Sequence, residues 1–236
     1  MKLSQSTIKV LSAFSQINSS INFEPGNVIK IKNESNSFVA SAEVVDEFPR
    51  AFCIYGLPAF IQALKLFDEV DIEFNESNMK IKNAKGSGSI QYSYTSPALI
   101  AKVDYSKKLK SGVDLASFIL TNETLRQIQK SSAMFGSVNI LIQSVSDSVV
   151  NLGTTTIAAA QKDTENSFNI DVESEYEMGE SFSVALDNNI LKLYTDTDYR
   201  VTISKTNEKL SIVKFTSLDD NDSEIKLEYI TSAKNV

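Results

Sequence analysis

Histidine and tryptophan are absent from all 236 residues, and cysteine occurs once, as Cys53. Without histidine the chain lacks the commonest general base near neutral pH, the Ser-His and Cys-His nucleophile systems, and the commonest metal ligand. A lone cysteine excludes an intramolecular disulfide. This composition speaks against a hydrolase of the familiar kinds. No apolar run is long enough to span a bilayer. The opening Met1-Lys2-Leu3-Ser4-Gln5 turns polar at once, without the hydrophobic stretch of a signal peptide. A soluble intracellular protein is the expectation. Positive charge is also scarce: 23 basic side chains face 30 acidic ones, a net charge of −7. Taken as a sum, that argues against a nucleic-acid binder, whose usual footprint is basic. A sum does not fix a distribution, however, and one face can be basic on an acidic protein.

The chain does contain a repeat. Leu3-Ser4-Gln5-Ser6-Thr7-Ile8-Lys9-Val10-Leu11 is echoed by Leu120-Thr121-Asn122-Glu123-Thr124-Leu125-Arg126-Gln127-Ile128. The shared pattern is Leu, hydroxyl, two variable residues, Thr, branched aliphatic, two variable residues, branched aliphatic. Each copy places a basic residue just after the Thr-aliphatic pair. At 42% hydrophobic residues the chain can build packed cores. Its length fits one large domain or two ordinary ones, and the echo favours two. The expected division is 1–95, a connector at 96–112, and 113–236.

Periodicity fills in the elements. Residues 4–17 predict a helix with Ser4 as N-cap and Thr7, Val10, Leu11, Phe14 and Ile17 on its apolar face. Strands are expected at 27–32, 38–45 and 50–55, then a helix at 57–67 with Pro58 in its first turn. Its core face is Phe60, Ala63, Leu64 and Phe67. Strands at 70–74, 79–82 and 89–94 close the half. Thr121 caps a third helix running to Phe135, with Thr124, Leu125, Ile128 and Phe135 apolar. Strands follow at 138–143, 148–152, 168–176 and 182–186. A short helix is expected at 187–193, then strands at 199–204, 210–216 and 224–230. Phe52-Cys53-Ile54-Tyr55 before a helix parallels Phe182-Ser183-Val184-Ala185 before a helix. The order helix, strands, helix, strands thus occurs twice. Residues 153–166 read as a loop of low charge.

Several motifs carry no chemistry. Asp219-Asp220-Asn221-Asp222-Ser223-Glu224 lacks the central glycine and ligand spacing of a calcium loop and reads as a solvated hairpin turn. Gly86-Ser87-Gly88 has no following Lys-Ser/Thr or helix, so it is a strand connection. Cys53 alternates within a strand and reads as a small buried side chain. The carboxylates of 68–73 have no apolar pocket or histidine partner and read as a solvated strand start. No catalytic residue, metal site or cofactor is expected.

Lys9, Lys65, Arg126, Lys130 and Lys192 sit on the four expected helices, with Lys2 just ahead of the first. Any one of them alone is an ordinary solvated helix residue. As a set they share polar faces with few acids, with Gln5, Gln16, Gln62 and Gln127 between the charges, and the pattern recurs in both halves. A duplex carries one negative charge per roughly 1.7 Å of axis, so even sparse Lys and Arg facing it contribute. Gln and Ser add phosphate or water-bridged contacts without reading sequence.

The start of the chain is similar to a known family. Met1-Lys2-Leu3-Ser4, then Thr7, Leu11, Phe14 and Ile17-Asn18-Ser19, and an extended stretch to Gly26 resemble the sliding clamps of T-even-type bacteriophages, the DNA polymerase processivity factors. The turn from Ile54-Tyr55-Gly56-Leu57 to Phe60 resembles the family's second helix. Length and repeat agree over the whole chain; beyond Gly112 the resemblance is one of element order. It implies an α+β DNA-clamp fold of two similar domains, with helices on the inner face of a homotrimeric ring and antiparallel sheets outside. It implies sequence-independent passage of double-stranded DNA, tethering of a DNA polymerase, and loading by an ATP-driven clamp loader, with no enzymatic activity and no membrane. Partners of this family dock short hydrophobic peptides near the connector, for which Leu99, Ile100 and Val103 are the candidates here. The resemblance further implies the cytoplasm of an infected host cell, a role in late transcription, and subunits joined by pairing of strand 90–94 with 168–176 of a neighbour. The alternative is an oligomeric phage structural or assembly protein whose helix charges are incidental.

Overall fold

The structure, a computed structural model, describes residues 1–100, 112–136, 139–146, 148–155, 167–175, 181–187, 192–207, 209–218 and 225–236. The chain divides into two compact units: Met1–Tyr105 with Asp219–Leu227, and Ser106–Leu218 with Glu228–Val236. Val103 and the expected turn at 219–224 lie outside the described residues, as do 156–166 of the expected loop and 188–191 of the expected fourth helix.

In the first unit, α1 (Gln5–Phe14) begins where Ser4 leaves the extended region. The first N–H groups of a helix have no partner within it. Here the Ser4 hydroxyl accepts from the Thr7 N–H at 3.1 Å, while Ser4 gives its own N–H and hydroxyl to Asp46 Oδ2 at 2.9 and 2.5 Å. Thr7, Ile8, Val10, Leu11 and Phe14 form the buried stripe. Full burial of such an aliphatic or aromatic side chain is worth about 1.5–3 kcal/mol. The helix closes at Phe14 rather than at residue 17. Gln16 and Ile17 donate to Ala13 and Phe14 carbonyls, a tighter turn that still leaves Ile17 buried.

Two short strands follow from aromatic packing. β1 (Ile21–Phe23) pairs antiparallel with β4 (Phe52–Ile54), placing Phe23 opposite Phe52 and Asn22 opposite Cys53. The two rings stack at 4.4 Å, and Phe48, Phe74 and Tyr94 close around them. The buried Cys53 thiol donates to Asn22 Oδ1 at 2.9 Å. Between them β2 (Gly26–Lys32) and β3 (Phe38–Phe48) form a hairpin. Its turn is held by Asn33 Oδ1, which accepts from the Ser37 and Phe38 N–H groups at 3.0 and 3.1 Å. α2 (Leu57–Lys65) starts with Pro58 in its first turn and buries Leu57, Phe60, Ile61 and Leu64. β5 (Val70–Phe74), β6 (Asn78–Asn83) and β7 (Ser89–Ser93) form an antiparallel meander that aligns Ile72, Ile81 and Ile90. Pro97–Leu99 is a single 3₁₀ turn.

The second unit opens with a strand absent from the sequence expectation, β8 (Val113–Leu120), whose residues Leu115 to Phe118 are all buried. A strand covered on both faces shows no alternation, so its period was invisible in the sequence. α3 (Asn122–Phe135) repeats the start of α1: Thr121 accepts from the Thr124 N–H at 3.2 Å. It buries Leu125, Ile128, Ser131 and Ser132, and ends on Gly136 at φ 62°, a left-handed conformation that glycine adopts without a Cβ penalty. The remaining strands are β9 (Asn139–Ser146), β10 (Val149–Thr155), β11 (Ser167–Glu173), β12 (Ser183–Asp187), β13 (Tyr199–Lys205), β14 (Leu210–Ser217) and β15 (Lys226–Asn235). Glu228 onward of β15 belongs to this unit. The strands run antiparallel in the order β11-β10-β9-β12-β15-β14-β13-β8. Asp187 lies in β12, not in the helix expected there.

The two ends of that order meet. Phe118 bridges Ser174, and the Glu175 N–H donates to the Ser117 carbonyl at 2.6 Å. Arg200 grips Glu175 with Nε on Oε2 and Nη2 on Oε1, both at 3.0 Å, and the Ser117 hydroxyl adds a bond of 2.5 Å to Oε2. These hydrogen bonds, from Arg200 first and then Ser117, hold the Glu175 carboxyl below the usual range.

Candidate nucleic-acid interface

The apolar stripes of the helices fix where their polar sides point. On α1, burying Val10, Leu11 and Phe14 leaves Gln5 and Lys9 exposed, with Gln16 exposed just beyond. On α2, the same logic exposes Gln62 and Lys65. Lys65 stands in the last turn, where the helix dipole favours a cation. On α3, Arg126, Gln127 and Lys130 are exposed. Arg126 and Lys130 are four residues apart and therefore lie on one face, one turn from each other. Each helix thus presents a cation beside uncharged amide side chains, whose donors and acceptors suit phosphate and water.

Four cations on or beside strands stand against carboxylates. Lys82 pairs with Glu73 and Lys85 with Glu69, Lys214 meets Glu228 at 2.5 Å, and Arg200 meets Glu175. The carboxyls of Glu73 and Glu69 are held low first by the hydrogen bonds from those lysines. On the helices, Lys65 and Lys130 make no ion pair among the described residues. On a protein with net charge −7, Lys65 and Lys130 are thus exposed ammonium groups that an anionic partner can reach.

The six cations are not equivalent. Lys2 is exposed, but its backbone bridges Asp71 and its charge acts on Asp71 and Glu69, so acids offset it. Lys192 is half-buried beside the buried Leu193. Arg126 donates from Nη2 to Asp196 Oδ1 at 2.8 Å and to the Thr195 carbonyl at 3.3 Å. Nothing in the sequence pointed to that partner, which lies 70 residues away.

The segment carrying Asp196 is held from beneath by two tyrosines. Tyr199 and Tyr229 are fully buried, and the Tyr199 hydroxyl donates to the Tyr194 carbonyl at 2.6 Å. The Tyr194 N–H donates to the Tyr229 oxygen at 3.2 Å. Desolvation raises both phenols well above their ordinary range, so they stay neutral. Asp198 accepts from the Asn122 N–H at 2.7 Å, so the same segment also ties down the first turn of α3.

The peptide-pocket candidates separate. Leu99 is 66% exposed, whereas Ile100 is 8% exposed and offers little surface to a ligand. A concavity of about 220 Å³ instead opens in the second unit, lined by Leu115, Phe182, Ser183, Lys205 and Val236 among others. A neighbouring shallow hollow brings in Val145, which is 60% exposed. Leu115, on β8, follows shortly after the expected connector.

No family model matches the sequence. The chain is 29% identical over 207 residues to the sliding clamp of Vibrio phage KVP40, a match spanning 86% of this chain and 90% of that protein. It is 32% identical over 89 residues to the sliding clamp of Escherichia phage RB69, covering 37% of this chain and 39% of that one. Among solved structures it superposes on the proliferating cellular nuclear antigen of Entamoeba histolytica with a TM-score of 0.72 at 13% identity, over 99% of this chain and 97% of the other. That likeness concerns the fold, which is an α+β clamp fold.

Proposed function

We infer that the chain is a sliding clamp of the T-even phage type, one subunit of a ring that encircles duplex DNA and tethers the replicative DNA polymerase. The observation that carries this reading is the near full-length match to a phage sliding clamp on a chain that has the clamp fold. The mechanism is topological. A closed ring leaves DNA only by opening or by sliding off an end, so contacts to phosphate need only be weak and independent of sequence. Exposed Lys9, Lys65 and Lys130 with interleaved glutamines suit that requirement: a few phosphate contacts give salt-sensitive, non-specific attraction. Tight contacts would slow sliding. No step in this work breaks or makes a covalent bond, so the clamp needs no cofactor.

The ring is a homotrimer in this reading. Two sheet edges suit its closure. β7 is the outer strand of its meander, and β11 ends the strand order of the second unit, its contact with β8 being made by Ser174 and Glu175 just past the end of β11. Edge strands present unpaired N–H and C=O groups that another chain can complete, so β7 of one subunit pairs with β11 of the next. An ATP-driven loader opens the ring, and the polymerase docks a short hydrophobic peptide. The concavity lined by Leu115, Phe182 and Val236 suits that peptide. The ring works in the host cytoplasm during infection; among the described residues no helix is long and apolar enough to cross a membrane. Its activation of late transcription is part of the same proposal.

The test is primer extension on a long template with the cognate polymerase and loader. Addition of the chain lengthens the products. Neutralising Lys9, Arg126 and Lys130 together shortens them again while light scattering still finds a species of three chains. Unchanged products from the triple variant would remove these residues from the DNA face, and failure of the wild type to stimulate the polymerase would remove the clamp reading itself.

A further inference from the structure

Arg126 Nη2 lies within ion-pair distance of a carboxylate oxygen, Asp196 Oδ1, at 2.8 Å. Arg126 is 51% and Asp196 41% exposed, so a phosphate can reach the guanidinium from solvent. The Tyr194 hydroxyl also reaches the other Asp196 oxygen at 3.4 Å. The carboxylate does not drift with a loose loop: the buried Tyr199 and Tyr229 fix the backbone at Tyr194, and Asp198 fixes it again at Asn122. An acid has therefore been placed, on a pinned segment, against the basic face of α3.

We propose that Asp196 is a positioning residue that competes with DNA phosphate for Arg126 and so limits how tightly the ring holds the duplex. This rests on the reading of the polar face of α3 as DNA-facing. When a phosphate approaches, the guanidinium exchanges one anion for another, and its net gain is small. Lys130, one turn along, makes no such exchange among the described residues. The arrangement gives α3 one cation in constant contact range and one in reserve. That suits a ring that must stay near the duplex and still move along it.

The test is anisotropy of a fluorescein-labelled short linear duplex of mixed sequence, threaded by the full-length protein, across a potassium chloride series. Asp196→Asn is expected to bind roughly two- to fivefold more tightly at low salt, the range of an exposed ion pair. Its log–log salt dependence steepens by about one, the signature of one added phosphate contact. Asp196→Glu keeps the charge and stays at the wild-type value. In an Arg126→Ala background Asp196→Asn has no further effect. Asp196→Ser, a second neutral side chain, repeats the result should the amide disturb the segment. Tighter binding that persists without Arg126 would mean mere loss of a negative charge and would overturn the proposal. So would unchanged or weaker binding by both neutral variants when Lys130→Ala weakens it. If Lys130→Ala and Lys9→Ala also leave binding unchanged, the DNA-facing reading of the helices falls first, and this proposal with it.

Discussion

α1 and α3 begin with the same sentence of sequence and end as different objects. Both start on a hydroxyl N-cap that accepts from the Thr N–H three residues on, and in both that hydroxyl lies 3.0 Å from the Thr side-chain hydroxyl. An aspartate from a distant segment meets each start: Asp46 accepts from the N–H of the cap Ser4, and Asp198 from the N–H of Asn122, the first residue of α3. Beyond that start they diverge. α1 buries five of its ten residues, all but Thr7 apolar; α3 buries four of fourteen, and two of those are serines. α1 is seated in its core, while α3 lies on its sheet and exposes most of its circumference. The repeated motif therefore specifies how the helix starts and leaves its depth to the residues that follow.

The largest expected effect tests that difference in depth. Phe14→Ala should cost about 3–5 kcal/mol, and Ile128→Ala about 2–5 kcal/mol; both side chains are fully buried, and Phe14 is the costlier because it loses a whole ring from a stripe that is apolar but for Thr7, whereas the stripe of Ile128 includes two serines. Urea unfolding monitored by circular dichroism gives both values, and an equal or reversed order would dissolve the contrast. Next comes the C-terminal end. Gly136 holds φ 62° with open space where a Cβ would stand, so Gly136→Ala carries only the left-handed backbone cost of about 1–2 kcal/mol. Ser15 at the matching end of α1 has φ −62°, so Ser15→Ala should change thermal stability far less.

The caps come third. Ser4→Ala and Thr121→Ala should each cost about 0.5–2 kcal/mol. Ser4 should be the more sensitive, because its loss also takes a donor from Asp46. The smallest effect is set by acid. Glu175, held low by Arg200 and Ser117, contributes stability that is complete above the ordinary glutamate range. That contribution is lost as pH falls through this range toward the depressed folded value. Glu175→Gln should therefore flatten the acid limb of a melting-temperature profile and leave the neutral region level, since the chain has no histidine to titrate there.

The helices were legible because cap, period and apolar face all agreed. Ser4, Thr121 and Leu57-Pro58 mark starts that the structure retains. α1 and α2 end short of residues 17 and 67 because a helix end is set by the following turn rather than by the apolar stripe. β8 was illegible because Leu115, Ala116, Ser117 and Phe118 are covered on both sides. β1 was too short to show a period. The candidate site was legible only as a list of cations. Which of them stands beside an acid depends on the fold, and neither the Arg126–Asp196 pair nor the exposure of Leu99 beside a buried Ile100 has any trace in local sequence.

The strand pair that places Cys53 opposite Asn22 has a practical consequence. The only thiol of the chain is 2% exposed and already engaged by an amide oxygen. Maleimide dyes or spin labels added to the native fold should leave it untouched. A cysteine introduced at an exposed position such as Gln127 then becomes the sole reactive handle, with no native residue to remove. Distances between labelled subunits, or between a label and a dye-bearing duplex, would thus test directly whether subunits close into the proposed ring and whether a duplex passes through it.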